Sequence, residues 1–324
     1  MPRTYSREEF MSLPTNDFVN LINDAKKPRV GVLIPDGTRK IGVIYYGLDS
    51  NSPEFEAKLF QRINKDLMEV VKLFFNHGLH TFFVPCLTNG NLARNEHYVE
   101  KAVRNGLEYI LKSDEWLDFY DERKIRVKIY GDYERLTEMG FAEVADWISD
   151  VQARTAKFDR HILYFGIACS NREEMDRILD YAIDFHQEHG RRPSREELIS
   201  WYYNGAVDDV DFFIRPTMFR DSDVQPPLIS GVKTQMYFPI GPFPFLNTNM
   251  VREIFFDLLY NRTITHGNDT ESLDNLTEAE AELINNYYTE NRDKIIGLGN
   301  RIGDFWLPSG KIKSLKSDKR KIDE

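Results

Sequence analysis

Short apolar runs alternate with longer amphipathic stretches along most of the chain, and this alternation strongly limits the folds available to it. It is typical of β-α-β units, in which parallel strands lie side by side and helices cover the sheet. The sequence therefore predicts an α/β fold with a central, mainly parallel sheet covered by helices. The predicted strands are Val30–Pro35, Thr81–Leu87, Ile125–Tyr130, His161–Cys169, Asp211–Arg215 and Met236–Pro239. The predicted helices are Glu54–His77, Asn95–Tyr120, Glu134–Ala156, Arg172–His189, Arg195–Tyr203 and Thr248–Asn261.

The chain has 324 residues, which suits one large domain with additions or at most two domains. We expect a catalytic domain at residues 1–266. Residues 267–310 are expected to form an extension that contains a helix near Ala279–Glu290 and packs on that domain. The basic end at residues 311–324 is predicted to be a disordered tail.

The overall charge excludes one class of partner and directs the search for another. The formal net charge is −10, from 42 basic and 52 acidic residues. Nucleic-acid binders usually carry a basic balance, so no nucleic acid is expected as a partner. An acidic protein can still bind an anion, but only through a local cluster of donors. No apolar run is long enough to span a membrane and no signal peptide is evident, which favours a cytoplasmic protein that is not integral to a membrane.

The best candidate for such a cluster follows the first predicted strand. Asp36, Gly37, Thr38, Arg39 and Lys40 come directly after Pro35. Glycine lets the backbone approach a ligand closely, and the two cations can bind phosphate oxygens. Asp36 would repel a bare phosphate unless Mg²⁺ lies between them, so we predict that Asp36 binds this metal. An ordinary Asp-Gly turn with solvated charges is the alternative.

Four segments in order resemble the cis-prenyltransferase family, which includes undecaprenyl diphosphate synthases. The loop from Asp36 to Lys40 is similar to that family's Asp-Gly-Asn-Arg-Arg loop. The segments 129–132, 211–215 and 236–238 are similar to its Ile-Gly-Asp, Asp-Leu-Val-Ile-Arg and Leu-Tyr-Phe strands. The resemblance implies the fold of that family and diphosphate binding at the first loop.

One branch, the tuberculosinol and kolavelool synthases, is similar over nearly the whole length. The matching segments are 6–14, 35–39, 130–133, 188–199, 230–234 and 297–306. Membership of this branch implies a homodimer that ionises a bicyclic diterpenyl diphosphate with Mg²⁺ and captures the allylic cation with water or a nucleoside. A separate class II cyclase would supply the substrate, since this chain lacks that enzyme's acid motif.

Chain elongation is not expected, because the site for a second diphosphate departs from the elongating pattern. Arg215, Arg220 and Ser222 remain, but the Gly-Gly-Glu between them is missing. The loop at 85–93 lacks the family's tryptophan, and Gln235 replaces a metal-binding glutamate. The tuberculosinol enzyme of this branch also has an aspartate cluster in that loop, but residues 89–93 here read Asn-Gly-Asn-Leu-Ala. The sequence therefore does not decide which acceptor captures the cation.

The remaining candidates are aromatic or polar residues around this loop. We predict catalytic roles for Asp36, Arg39 and Tyr46. The phenol of Tyr46 could relay a proton from the attacking water. The predicted substrate contacts are Gly37, Thr38, Lys40, Tyr45, Phe55, Asn89, Arg215, Arg220 and Tyr237. For the aromatic residues, plain core packing is the alternative. Asp208, Asp209 and Asp211 are interpreted as a loop and strand entry, not as a terpene-cyclase motif.

The sequence therefore predicts a diterpene synthase that releases diphosphate and forms a tertiary alcohol. One alternative is a terpenyl transferase that uses adenosine or another acceptor. A second alternative, from a different class, is a non-catalytic partner subunit of a cis-prenyltransferase, against which the intact Asp36 and Arg39 argue.

Overall fold

A computed structural model of the chain describes residues 5–231, 233–262, 277–302 and 305–308. Six strands form one sheet in the order β3-β4-β2-β1-β5-β6, and every neighbouring pair is parallel. The strands are β1 (Val30–Leu33), β2 (Thr81–Thr88), β3 (Ile125–Tyr130), β4 (His161–Cys169), β5 (Phe212–Ile214) and β6 (Gln235–Tyr237). The predicted parallel α/β sheet is therefore confirmed, and each predicted strand is present within two residues at either end.

Helices connect these strands. In the first half they are α1 (Arg7–Ser12), α2 (Thr15–Ala25), α3 (Thr38–Ile44), α4 (Phe55–Phe75), α5 (Asn89–Leu92), α6 (Glu96–Lys101), α7 (Glu108–Lys112) and α8 (Asp114–Arg123). The later ones are α9 (Arg135–Glu138), α10 (Glu143–Thr155), α11 (Asn171–His189), α12 (Arg195–Tyr202) and α13 (Thr248–Phe256). Two π-helical segments lie at Ala102–Leu107 and Asp257–Asn261, and a 3₁₀ turn lies at Phe243–Phe245.

Two predicted helices are interrupted, and both interruptions have local causes. The stretch predicted as one helix from 95 to 120 contains the first π-helical segment and then restarts at Ser113, whose side chain accepts a hydrogen bond from the backbone N–H of Trp116. The helix predicted at 134–156 is broken near Gly140, which has a φ of 90° that the right-handed helix does not allow. Apolar periodicity continues through both breaks, so the pattern alone did not reveal them.

The sheet is buried on both faces. Phe82 belongs to the apolar cluster that includes α4, whereas its neighbour Phe83 belongs to the cluster that includes α12. Successive strand residues point to opposite faces, so this division is the expected one for a central strand. Because both faces of the sheet are covered, a ligand site is expected outside the carboxyl ends of the strands.

The chain divides into two compact units at residues 262 and 263. In the second unit the structure describes α14 (Glu278–Asn291) and an antiparallel pair formed by β7 (Gly299–Ile302) and β8 (Phe305–Pro308). The predicted helix near 279–290 is therefore present. The predicted boundary at 266–267 and the predicted tail at 311–324 lie outside the described residues, and the packing of the extension stays a prediction. Among the described residues, no helix has both the length and the apolar character that a membrane span requires.

Candidate functional site

The loop that follows β1 is the starting point of the candidate site. β1 lies between β2 and β5, so the loop leaves the sheet near its middle. Gly37 has a φ of 73°, and a Cβ at this position would lie 3.3 Å from the Thr217 hydroxyl oxygen. A side chain here would therefore be strained, which explains the need for glycine. α3 begins at the next residue, Thr38.

This loop forms one end of a cavity of about 360 Å³. The polar end is lined by Asp36, Gly37, Thr38, Arg39, Lys40, Thr88, Asn91, Arg94, Arg215, Ser222 and Asp223. The rest of the wall is mainly apolar and contains Ile34, Phe60, Ile63, Leu67, Leu87, Ala102, Leu107, Ile110 and Val224. The volume lies within the usual range for small-molecule sites. A ligand with a polar head and a hydrocarbon body matches this distribution of side chains.

An ion pair between Asp36 and Arg215 lies at the polar end. The Oδ2 atom of Asp36 accepts hydrogen bonds from Nη2 of Arg215 at 2.6 Å and from Nε at 3.0 Å. The Oδ1 atom accepts the backbone N–H of Gly37 at 2.9 Å. Arg215 also donates to the backbone carbonyls of Arg220 and Asp221, and only 7% of its side chain is exposed. The guanidinium is therefore firmly placed at the edge of the cavity.

Positive charge is concentrated at this end of the cavity, although the protein is acidic. Four cationic side chains line the described wall, namely Arg39, Lys40, Arg94 and Arg215, against the two carboxylates Asp36 and Asp223. The chain as a whole carries a net charge of −10. Arginine is well suited to phosphate oxygens because its planar donors can bind two of them together. The arrangement favours an anionic group such as a diphosphate.

The carboxylates at this end fit the requirements of a shared Mg²⁺ ion. Mg²⁺ at phosphate sites is usually held by one or two carboxylates together with the phosphates of the substrate. Asp36 and Asp223 both line the cavity beside the cationic side chains. Among the described residues, no group of three or more His, Cys, Asp or Glu side chains could hold a metal on its own. The donor set therefore fits a metal that binds together with a diphosphate.

The structure brings together six of the predicted site residues. Asp36, Gly37, Thr38, Arg39, Lys40 and Arg215 all line the same cavity. Arg39 lies with its Nη2 atom 3.7 Å from Oε1 of Glu56 and its Cζ atom 5.4 Å from the centre of the Phe55 ring. Arg215 comes from the end of β5, far from the loop in sequence but adjacent in the sheet. The roles of these residues in chemistry stay predictions.

The other predicted residues lie outside the described wall of the cavity: Tyr45, Tyr46, Phe55, Asn89, Arg220 and Tyr237. The hydroxyl of Tyr46 donates to Asp66, and that of Tyr237 donates to Asp257 at 2.7 Å. Burial and these hydrogen bonds raise the pKa of both phenols. Each hydroxyl is therefore bound to a carboxylate that keeps it protonated.

The remaining four have other surroundings. Phe55 is 1% exposed and packs in the core, and Asn89 donates to Glu173. Tyr45 is 52% exposed and packs edge-on against Phe245 at 4.8 Å. The side chain of Arg220 is exposed, although its backbone carbonyl accepts from Arg215. For these positions the structure favours packing or surface roles.

Several residues of the wall were not predicted from the sequence. Asn91 accepts hydrogen bonds from the backbone and hydroxyl of Thr88, both at 2.9 Å, and donates to the hydroxyl of Tyr98 at 3.2 Å. The Arg94 guanidinium lies 4.4 Å from the centre of the Tyr98 ring. Asp223 and Asn64 also line the cavity. For Asn91, Arg94 and Tyr98, one signal was present in the sequence: they follow the carboxyl end of β2, where ligands of α/β sheets bind.

The acidic run before β5 has a structural role, as interpreted from the sequence. Asp211 accepts the backbone N–H groups of Arg29 at 2.6 Å and Val30 at 2.9 Å. Asp208 pairs with the Arg29 side chain at 2.8 Å, and Asp209 pairs with Arg195. The contacts of Asp208 and Asp211 hold the start of β1, at the opposite end of this strand from the cavity.

Comparison with solved structures decides the fold. The structure matches lavandulyl diphosphate synthase from Lavandula x intermedia in complex with dimethylallyl diphosphate, with a TM-score of 0.62 and 16% identity over 72% of this chain and 96% of that one. It also matches a probable undecaprenyl diphosphate synthase from Campylobacter jejuni, with a TM-score of 0.53 and 20% identity over 74% and 98%. The fold is that of the cis-prenyltransferases.

Comparison of sequences confirms the predicted resemblance to tuberculosinyl and kolavelool enzymes. The chain is 28% identical over 308 residues to tuberculosinyl adenosine transferase of Mycobacterium tuberculosis, which covers 94% of this chain and 99% of that protein. It is 22% identical over 249 residues to (+)-kolavelool synthase of Herpetosiphon aurantiacus, covering 76% and 78%. No protein-family model matches the chain. These relatives support an enzyme with a terpenoid-related activity.

Proposed function

We propose that this chain is a diterpene synthase that ionises a bicyclic diterpenyl diphosphate and captures the allylic cation with water to give a tertiary alcohol. The observation that carries the proposal is the single cavity in which a cationic end at Asp36–Lys40 and Arg215 continues into an apolar wall. The similarity to both a terpenyl transferase and a terpene synthase supports the substrate class.

The cationic end binds and orients the leaving group. Arg39, Lys40, Arg94 and Arg215 are the cationic side chains that line this end and would bind the diphosphate oxygens. When bound, Mg²⁺ held by Asp36 and Asp223 would supply charge neutralisation for the departing diphosphate. The allylic C–O bond breaks with its electron pair going to the diphosphate, and preorganised cations stabilise the charge that develops there.

The apolar part of the cavity shelters the cation. The side chains of Phe60, Ile63 and Leu67 exclude bulk water from the hydrocarbon body. A single water then forms the new C–O bond at the more substituted end of the allyl cation and loses a proton. Exclusion of bulk water limits attack by water at the primary carbon. We propose a tertiary alcohol as the main product for this reason.

Terpenyl transfer to adenosine is the second candidate, and the observation that favours it is the full-length similarity to tuberculosinyl adenosine transferase. The polar end of the cavity contains neutral groups as well as charges, namely Thr88, Asn91 and Ser222. These side chains could contact a polar acceptor. Adding adenosine to the assay distinguishes the two candidates, since an adduct would replace the alcohol.

The decisive test uses ¹⁸O-water and a panel of linear and bicyclic C15–C20 diphosphates. The expected main product is a tertiary alcohol that carries ¹⁸O. An unlabelled alcohol would show cleavage of the P–O bond and would identify a phosphatase. A hydrocarbon or a nucleoside adduct would exclude capture by water. Release of no diphosphate from any substrate would favour the non-catalytic partner subunit.

A further inference from the structure

One polar side chain lies in the apolar part of the cavity, and the proposed chemistry does not use it. Asn64 is on α4, between the cavity-lining residues Ile63 and Leu67. It is only 3% exposed. Burying an amide among apolar side chains costs free energy unless its hydrogen bonds are made. The contacts of this amide therefore show which of its groups remains available.

The orientation of the Asn64 amide is fixed by two backbone carbonyls. Its Nδ2 atom donates to the carbonyl of Asn105 at 3.1 Å and to that of Gly106 at 3.2 Å. Both carbonyls belong to the π-helical segment at 102–107. An amide nitrogen has two hydrogens, so both are used. No side chain or backbone group of the described residues donates to Oδ1, and this atom is left as an acceptor in the wall of the cavity.

The acceptor is too deep to bind the diphosphate. Glu56, beside Arg39, lies eight residues before Asn64 on the same helix. At 1.5 Å per residue this separation is about 12 Å along the helix axis. The residues between them that line the cavity, Phe60 and Ile63, are apolar. Oδ1 of Asn64 therefore faces the part of the cavity that a diterpenyl hydrocarbon body would fill.

We infer that Oδ1 of Asn64 accepts a hydrogen bond from an O–H group held deep in the cavity, either a hydroxyl of the substrate or an ordered water beside it. This inference rests on the proposed function for its substrate class. One source of the O–H group is a ring hydroxyl of the bicyclic diphosphate, as formed when a class II cyclisation ends in water capture. The other source is an ordered water that stays beside the substrate. A buried acceptor left without a donor would be costly in either case.

The test measures binding, not turnover, so it does not depend on the proposed reaction. The probes are copalyl diphosphate and its 8-hydroxy derivative, each made as a thiolo analogue whose C–S bond resists ionisation. Affinities are compared between wild type and Asn64→Leu, which is nearly isosteric. If the substrate supplies the hydroxyl, wild type should favour the hydroxy analogue by about tenfold or more, and Asn64→Leu should lose that preference.

If water supplies the O–H group, both analogues should bind wild type with similar affinity. A crystal structure with the deoxy analogue should then show an ordered water within hydrogen-bond distance of Oδ1 of Asn64. Equal affinities with no such water would overturn the inference. Failure of the proposed function would look different, because the analogues could still bind while no diphosphate released an alcohol.

Leu67→Ala is the matched control for cavity shape. Leu67 lies on the same face of α4, one turn further along, and lines the same cavity. The substitution widens the cavity without removing a polar group, so the preference between the two analogues should stay as in wild type. A loss of preference in Leu67→Ala would indicate that shape, not the acceptor, selects the ligand. Should Asn64→Leu fold poorly, Asn64→Ala gives the same comparison.

Discussion

At the scale of single residues, the contact between Asp36 and Arg215 organises the site. The two residues are 179 positions apart in sequence, yet two hydrogen bonds of 2.6 and 3.0 Å join them. Arg215 is thereby placed where it can bind either this carboxylate or a diphosphate. The sequence indicated each residue through its motif but not their pairing, since such a contact depends on how β1 and β5 lie together in the sheet.

The predicted aromatic residues show where prediction of the site from the sequence fails. The motif residues at 36–40 lie on the cavity because they join the end of β1 to the start of α3, where the chain leaves the sheet. Tyr46 and Tyr237 instead bond to carboxylates twenty residues further along the chain. No local pattern indicates such a partner, so proximity to a motif in sequence overestimated their part in the cavity.

Asp36→Asn tests the site at this scale. The amide keeps the size of the side chain but removes the charge that would hold Mg²⁺ and pair with Arg215. We expect kcat to fall by about 10³-fold, the range for loss of one preorganised electrostatic group. Addition of EDTA to wild type should abolish turnover. Both are measured by release of diphosphate.

Asp208→Asn is the control for this substitution. Asp208 is a surface carboxylate that pairs with Arg29, just before the start of β1 and at the opposite end of that strand from the cavity. Exposed ion pairs contribute little to stability. The substitution should therefore leave kcat within about threefold of the wild-type value. Circular dichroism should show both variants folded. Activity of Asp36→Asn within tenfold of wild type would contradict the role proposed for Asp36.

At the scale of secondary-structure elements, α4 shows what periodicity predicts and what it leaves open. The pattern located the helix and its apolar face. Phe55 was predicted as a substrate contact, with core packing as the alternative, and it is 1% exposed and packs against the core. The cavity is lined instead by Phe60, Ile63 and Leu67. A face that lines a cavity and a face that packs in the core have the same composition, so sequence does not distinguish them.

The π-helical segment at 102–107 also contributes to the wall of the cavity. Such segments are often found at functional sites, and they free backbone carbonyls from the regular pattern. Here two of those carbonyls accept from Asn64. Gly106 lines the cavity, and a Cβ at this position would lie 3.3 Å from Cδ1 of Phe60. Glycine therefore allows this segment to pack closely against Phe60 of α4 in the wall of the cavity.

Gly106→Val should narrow the cavity beside Phe60. The added side chain meets the Phe60 ring, which already limits the space. We expect kcat/KM for a bicyclic C20 diphosphate to fall by at least about tenfold, while a C10 substrate such as geranyl diphosphate is affected much less. The ratio of the two kcat/KM values is the measurement, because it is independent of the fraction of active protein.

Gly90→Ala is the matched control, since Gly90 lies in α5 outside the described cavity wall and a Cβ there meets its nearest atom at an ordinary 3.6 Å. Its ratio of kcat/KM values should equal that of wild type. A proportional loss for both substrates in Gly106→Val would show that the substitution disturbs folding or the diphosphate end, and would contradict a role in cavity width.

At the scale of the whole molecule, the fold was the most predictable property. Six apolar runs separated by amphipathic stretches allow few arrangements, because parallel strands require crossover connections. The order of the strands was not predictable from the runs themselves. The order is known from the structure. The expectation of a homodimer came only with the resemblance to the tuberculosinol and kolavelool synthases.

Within the part of the chain that the structure describes, α11 carries an apolar face that suits such a dimer. Met175, Leu179 and Ile183 follow one another at intervals of four residues along α11 and are 41%, 54% and 54% exposed. Trp201 on α12 is 37% exposed and stacks on Tyr181 of α11 at 4.1 Å. A row of apolar side chains on one helix face is self-complementary when a second copy meets it across a two-fold axis. We propose this face as the contact between two copies.

Leu179→Asp tests the dimer in solution. If two copies meet at α11, the carboxylates would be buried next to each other without a partner, which is strongly unfavourable. Wild type should sediment at twice the chain mass of 38.0 kDa at micromolar concentration, and Leu179→Asp should sediment as a monomer. Ile44→Asp is the control for oligomeric state, because Ile44 is even more exposed, at 69%, but lies on α3. It should remain dimeric. A monomeric wild type would exclude the homodimer, and a dimeric Leu179→Asp would place the contact on another face.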